Sequence, residues 1–324
     1  MFAPVWDQTV LAGLRTPGQG PLWWRLAQEV QRRRDEYDAV VTWGERLSLA
    51  LTAIQRFTRN KKPHIAMMYQ FAKPNIQLPL RAFGGSLHTV ITWTTVQRRY
   101  LIDHLGFPSN RVYLVRHFVD QVFYSPREAE EDTICGVGVE MRDYPTLIEA
   151  IRGTGLRCHI ATNHVRIPHR LRLVSDRSVP VSAFPVASDA KVTMGRKTLP
   201  ELRELYARSR FVVVPLVHSD TDNGVTVILE AMAMGKPVIC SRTRGQVDVI
   251  EDGVTGLYVP VGDAASLRKA MLSLWNDPDR ARTMGARARA YVEKYHTLDK
   301  FASNVRSAAE ASLEGRPAPG SWWE

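Results

Sequence analysis

The sequence predicts an α/β protein of two doubly wound domains, each built on an open parallel sheet. Two observations carry this. Short apolar strands alternate with amphipathic helices through both halves of the chain, as in open parallel sheets. The 324 residues, 44% apolar and 23% charged, also suffice for two substantial cores.

In the first half a helix is expected near 23–34, then strands at 39–42, 64–68, 89–93 and 112–115, with helices at 46–56, 78–83 and 95–105. Right-handed crossovers bring the loops after these strands to one edge, including Glu45, Tyr69 and His117. The stretch 119–126, followed by the charged 127–132, marks a change of domain. Domains are therefore expected at 1–125 and 126–300, with a C-terminal helix and a mobile tail at 301–324. The second half reads as a strand at 133–137, a helix at 144–151, strands at 157–161 and 178–183, a helix at 199–208 and a buried strand at 211–216. An apolar helix follows Gly224, then strands at 236–240 and 254–259 and helices at 264–275 and 279–295.

Composition narrows the function classes. No stretch approaches the roughly 18 apolar residues of a membrane span, and the opening residues lack the basic and apolar regions of a leader, so a cytoplasmic location is expected. Cys135, Cys158 and Cys240 lie far apart in apolar segments without metal spacing, which points to reduced core residues and no metal site. Residues 1–125 hold 16 Lys and Arg against 8 Asp and Glu, whereas the remainder holds 27 against 25. The clusters Arg32-Arg33-Arg34 and Arg59-Asn60-Lys61-Lys62 suit a peripheral contact with an anionic membrane; solvated helix ends are the alternative. Nucleic acid is not an expected partner, because no finger, helix-turn-helix or stacking-sheet motif accompanies these clusters.

The stretch 222–237 says most about function. It places Glu230 in a helix otherwise made of Val, Ile, Leu, Met, Ala and one Thr, and an ionised Glu is almost never buried without partners. Those partners are either protein donors or the hydroxyls of a ligand. Asp222, Asn223 and Gly224 lie on the loop at the carboxyl end of the preceding strand, where open α/β sheets place ligands. Gly224 permits close backbone approach, and free amides of Gly224, Val225 and Thr226 at the helix start suit phosphate. A phosphate there and a hydroxylated sugar near Glu230 describe a nucleotide sugar. The alternative is that Glu230 forms an internal salt bridge and Asp222 caps the helix.

Asp222 and Glu230, followed by Leu229-Glu230-Ala231-Met232 in register and Gly235-Lys236-Pro237, resemble the acidic pair of the retaining GT-B glycosyltransferases of family 4, the glycosyltransferase group 1 proteins. The resemblance runs from about Cys135 to Glu293. It implies a GT-B fold of two Rossmann-like domains with an interdomain cleft, an NDP-sugar donor, retention, and no metal or other cofactor. It assigns the donor ribose to Glu230 and the donor sugar to Asp222. The first acid is Asp where the family usually has Glu, and Gly224 stands one place later than usual. Gly138-Val139-Glu140-Met141-Arg142 resembles the family's Gly-Arg-Leu loop ending in Lys, with Arg142 as the diphosphate cation and the family's preceding Arg replaced. Gly195 and Arg196 stand where the nucleobase packs, and Arg244 follows the next strand on the same edge. An opening strand with a Gly-rich loop has no counterpart, so either the first domain is abbreviated or its start is missing or misassigned. Tyr69 and Gln70 occupy the region where many members carry a His; His117 is the nearest substitute, with a structural role as its alternative. The acceptor is not legible. A non-catalytic sugar-nucleotide-binding subunit and a GT-B epimerase acting on the donor are the competing functions.

Overall fold

The computed structural model describes residues 20–59, 61–71, 74–167, 177–180 and 189–316. These form two compact units. One comprises the chain up to Thr92, Arg98–Leu114 and the described residues from Ser307; the other comprises Trp93–Gln97 and Val115–Arg306.

The first unit follows the expected alternation: α1 (Leu22–Arg32), β1 (Val40–Trp43), α2 (Glu45–Arg56), β2 (His64–Met67), α3 (Pro74–Phe83), β3 (Thr89–Thr92), α4 (Thr95–Arg99, continued by a π-turn over Tyr100–His104), whose first three residues belong to the second unit, and β4 (Val112–Leu114). The four strands are parallel and lie in chain order, β1-β2-β3-β4, with no reversal of order among the described residues. Helix α3 begins earlier than the expected 78, because Pro74 fits a first helical turn that needs no amide hydrogen. One core packs Leu49, Met68, Leu80, Val90 and Leu101 together, and another seats Ala27 of α1 on Ala50 and Leu51 of α2.

A polar chain runs through this unit. His64 is fully buried on β2, with Nε2 2.8 Å from Thr42 Oγ1; Thr42 is 2.7 Å from Ser48 Oγ, which donates to the Gly44 carbonyl at 2.7 Å. Since the Ser48 proton is committed to Gly44, the consistent order has Nε2–H donating to Thr42 and Thr42 to Ser48. Burial lowers the His64 pKa from 6.5 to about 3. The unfolded chain therefore takes up a proton that the native imidazole refuses, and stability falls as pH drops from about 6.5 towards 3, by about 1.4 kcal/mol per pH unit. Thermal melts at stepped pH should show this slope flattened in His64→Gln; an unchanged slope would remove His64 as its source.

The second unit contains β5 (Thr133–Val137), α5 (Tyr144–Ile151), β6 (Cys158–Ala161), β7 (His164–Ile167), β8 (Arg177–Pro180), β9 (Val192–Met194), α6 (Leu199–Arg208), β10 (Ser209–Val214), α7 (Val225–Ala233), β11 (Val238–Ser241), β12 (Gly256–Val259), α8 (Ala264–Trp275) and α9 (Pro278–Tyr295). Helix α10 (Leu298–Leu313) begins here and ends in the first unit. Six parallel strands run in the order β12-β11-β10-β5-β6-β9. The chain thus winds outward from β5 in one direction and from β10 in the other, so β5 and β10 flank a topological switch point. Alternation along β10 fills both faces: Val212 and Val214 pack with α7 and α9, Phe211 and Val213 with α5 and α8.

Two expectations need correction. The strand expected at 178–183 is β8, which pairs antiparallel with β7 in a separate ribbon, while 181–183 lie outside the described residues. The sheet is instead extended by β9, whose three residues are too few to show a period. The strand expected from 254 starts at Gly256, because Val254 and Thr255 turn back to the Glu251 carbonyl.

Candidate functional site

The loops leaving β5 and β10 meet at the switch point of the second sheet. They are stitched together by backbone bonds, from the Asp143 amide to the Pro215 carbonyl at 2.9 Å and from the Val217 amide to the Met141 carbonyl at 3.0 Å. Gly138 has φ +99°, and a Cβ there would stand 2.7 Å from Arg142 Nη2. Gly224 has φ +88°, and its Cβ would stand 2.8 Å from Val214 Cγ1 and 3.4 Å from Arg142 Nη1. Both positions therefore require glycine, and the guanidinium of Arg142 fills the space between them.

Arg142 is 4% exposed. Its Nε donates to the Val137 carbonyl and its Nη1 to the Glu140 carbonyl, both at 2.8 Å, and it has no ion pair among the described residues. The expected free amides need one correction. The Val225 amide is used by the Asp222 carbonyl at 3.1 Å, while those of Gly224 and Thr226 have no acceptor among the described residues. The start of α7 has no side-chain cap, so Asp222 is not serving as one.

Asp222 is buried, and its carboxylate accepts from Gln97 Nε2 at 3.3 Å. Gln97 is oriented by accepting from the Trp93 amide at 3.0 Å, and Gln246 Nε2 braces the loop through the Asp222 and Asn223 carbonyls at 3.3 and 3.2 Å. Burial raises the Asp222 pKa from 3.8 to about 6, with Asp248 and Glu140 pushing the same way. Asn223 turns inward, its Nδ2 donating to Ser219 Oγ and Thr221 Oγ1 at 2.6 and 2.5 Å.

Along α7 every side chain from Val225 to Ala233 is buried except Thr226 and Glu230. These stand one turn apart on a single open face. Glu230 meets no Lys or Arg among the described residues; the Tyr206 hydroxyl donates to its Oε2 at 2.8 Å, and the Tyr124 hydroxyl lies near enough to pull the same carboxyl's pKa down. An internal salt bridge is thereby excluded among those residues. Burial still holds the Glu230 pKa above its ordinary value, against the pull of the two hydroxyls. By contrast, the buried Lys236 of this unit pairs with Glu131 at 2.6 Å. A cation and two acids without ionic partners around one helix start are a poor bargain for stability and the mark of a functional site.

The other residues expected in a site have surroundings of their own. Gly195 and Arg196 follow the edge strand β9, where Arg196 borders an open depression with Lys197, Thr198, Leu199 and Glu201. Arg244 is exposed and sits 3.5 Å from Asp220, while neighbouring Gly245 packs flush against the Thr221 backbone. In the first unit Glu45 and Tyr69 do meet: Glu45 Oε1 accepts from the Tyr69 and Gln70 amides at 2.9 and 2.8 Å, which fixes the loop after β2. His117 stacks on Phe118, whose amide donates to His117 Nδ1 at 3.0 Å, and edges onto Trp93. Its Nδ1 is thus occupied by the neighbouring backbone.

Sequence reasoning missed Gln97, Gln246, Tyr124 and Tyr206. Only Tyr206 had a signal, since a phenol on the inner face of an amphipathic helix needs a buried acceptor.

Residues 137–277 match the family Glycosyl transferases group 1. An uncharacterised glycosyltransferase of Methanocaldococcus jannaschii is 24% identical over 62% of this chain and 54% of its own length. The chain spans about half the length of the curated relatives it matches. Among solved structures, sucrose-phosphate synthase of Thermosynechococcus elongatus superposes with a TM-score of 0.71 at 16% identity, covering 91% of this chain and 79% of that one. Anabaena HepE with UDP-glucose gives 0.67 at 15%, covering 94% and 88%. These likenesses show the fold, GT-B. Through residues 137–277 the chain is similar to the group 1 glycosyltransferases.

Proposed function

We propose that the chain is a retaining, metal-independent family 4 glycosyltransferase that moves a sugar from a nucleoside diphosphate sugar to an acceptor. The observation that carries this is the set of buried Arg142 and Asp222 and part-buried Glu230 near Gly224, none with an ionic partner among the described residues. Glu230 holds the ribose diol, Asp222 touches the sugar, and Arg142 with the Gly224 and Thr226 amides holds the diphosphate. Residue 230 lies six residues along α7 from Gly224, about 9 Å, a span suited to a ribosyl diphosphate. In the chemical step negative charge grows on the departing diphosphate, and a preoriented guanidinium and helix amides stabilise it without reorganising. A phosphate oxygen of the leaving group then takes the acceptor proton on the same face, so that no separate general base is needed. The HepE complex with UDP-glucose supports a nucleotide-sugar donor. Incubating the purified chain with a panel of nucleotide sugars should release nucleoside diphosphate from one of them; release from none would favour the non-catalytic subunit.

A cytoplasmic protein with a peripheral membrane contact completes the proposal. No helix among the described residues is long and apolar enough to cross a membrane. At the edge of the first sheet where β2 begins, Phe57 is 83% exposed between Arg56, Arg59, Lys61 and Lys62, none of which forms an ion pair among the described residues. Each cation near an anionic surface contributes about 1 kcal/mol. Vesicles containing anionic phospholipid should co-sediment the protein and neutral ones should not, and changing the four cations to Gln should release it. Equal sedimentation with neutral vesicles, or with none, contradicts the contact.

A further inference from the structure

Glu230 is held by two tyrosines from two different segments. Tyr206, fully buried on α6, donates its hydroxyl to Oε2 at 2.8 Å. Tyr124, from the segment before β5, sets its ring edge-on to Tyr206, centroids 6.1 Å apart, with its hydroxyl near the same carboxylate. We propose that Tyr206 and Tyr124 are positioning residues that aim the Glu230 carboxylate at the ribose diol of the donor, an inference that rests on the ribose-binding reading of Glu230.

The chemistry of the donors supports this over simple packing. A carboxylate offers about four acceptor positions, and the tyrosine hydroxyls leave at least about two, as many as a vicinal diol needs. A Lys or Arg in the same place would neutralise the acid and compete with the ligand for it. Neutral phenols fix the plane of the carboxylate and leave its charge to be met by the ligand's hydroxyls. The position of Glu230 beside Thr226 on the open face of α7 means that the remaining oxygen positions are not taken up by core packing. Tyr206 is itself locked, being wholly enclosed, so it restricts Glu230 to few rotamers.

The test is calorimetry on the full chain, with whichever of UDP, GDP and ADP binds and its 2′,3′-dideoxy counterpart. Tyr206→Phe should weaken the ribonucleotide about tenfold, the loss of one hydrogen bond to a charged group, and Tyr124→Phe should weaken it in the same sense. Neither should alter dideoxynucleotide affinity, because the tyrosines act only through the diol. Glu230→Ala should erase the preference for ribose. If Glu230→Ala keeps that preference, the ribose reading itself fails. If Glu230→Ala erases it, yet both Tyr variants leave ribonucleotide affinity unchanged or weaken both nucleotides equally, the positioning role is overturned.

Discussion

Arg142→Gln is expected to lower the transfer rate about a hundredfold to a thousandfold, the usual cost of deleting one preorganised donor to charge that develops in the transition state. The loss should fall mainly on kcat, because the diphosphate becomes more negative as the sugar departs, whereas binding of the intact donor keeps its contacts to the Gly224 and Thr226 amides and to Glu230. Arg142 also ties the Val137 and Glu140 carbonyls, so some stability will be lost with it, on the order of 1–3 kcal/mol. Arg142→Lys separates the two effects. It restores the charge without the fork of donors, and should recover part of the rate while remaining less stable than the parent. Steady-state kinetics beside a thermal melt read both, and a rate for Arg142→Gln within threefold of the parent would remove Arg142 from the diphosphate site.

Glu230→Ala carries the second large effect: nucleoside diphosphate affinity should fall by roughly 1 to 3 kcal/mol through lost charged hydrogen bonds. Its stability should move little, or rise. The substitution leaves the Tyr206 hydroxyl without its acceptor but also removes a part-buried carboxylate that has no cationic partner among the described residues. A residue whose loss harms binding while sparing the fold is one retained for function. Calorimetry and melting on the same preparation decide this, and unchanged affinity would refute the ribose role.

Much of the second unit was legible in the sequence because its strands are buried on both faces. Phe211 to Val214 form an apolar run that no solvent-facing element would carry, and the glycine-led helix after it follows from Gly224. The same physics exposed Glu230, a lone carboxylate in an apolar helix, and the structure answers that anomaly with phenols instead of a cation. What stayed hidden depends on contacts distant in sequence. Gln97 reaches Asp222 across 125 positions, and no local pattern announces it. The role of Arg142 was half visible: the loop motif placed it beside Gly224, but its two bonds to nearby carbonyls follow from the positive φ of Met141 and the tight fold of that loop. In the first unit, Glu45 on the strand-end edge suggested contact with a substrate, whereas its Oε1 accepts from the amides of Tyr69 and Gln70.

A crystal structure of the full chain with its bound nucleoside diphosphate tests the central claim most directly. The diphosphate is expected on the Gly224 and Thr226 amides beside Arg142, with both ribose hydroxyls on the Glu230 carboxylate. A nucleotide seated elsewhere, or one whose ribose turns away from Glu230, would contradict it.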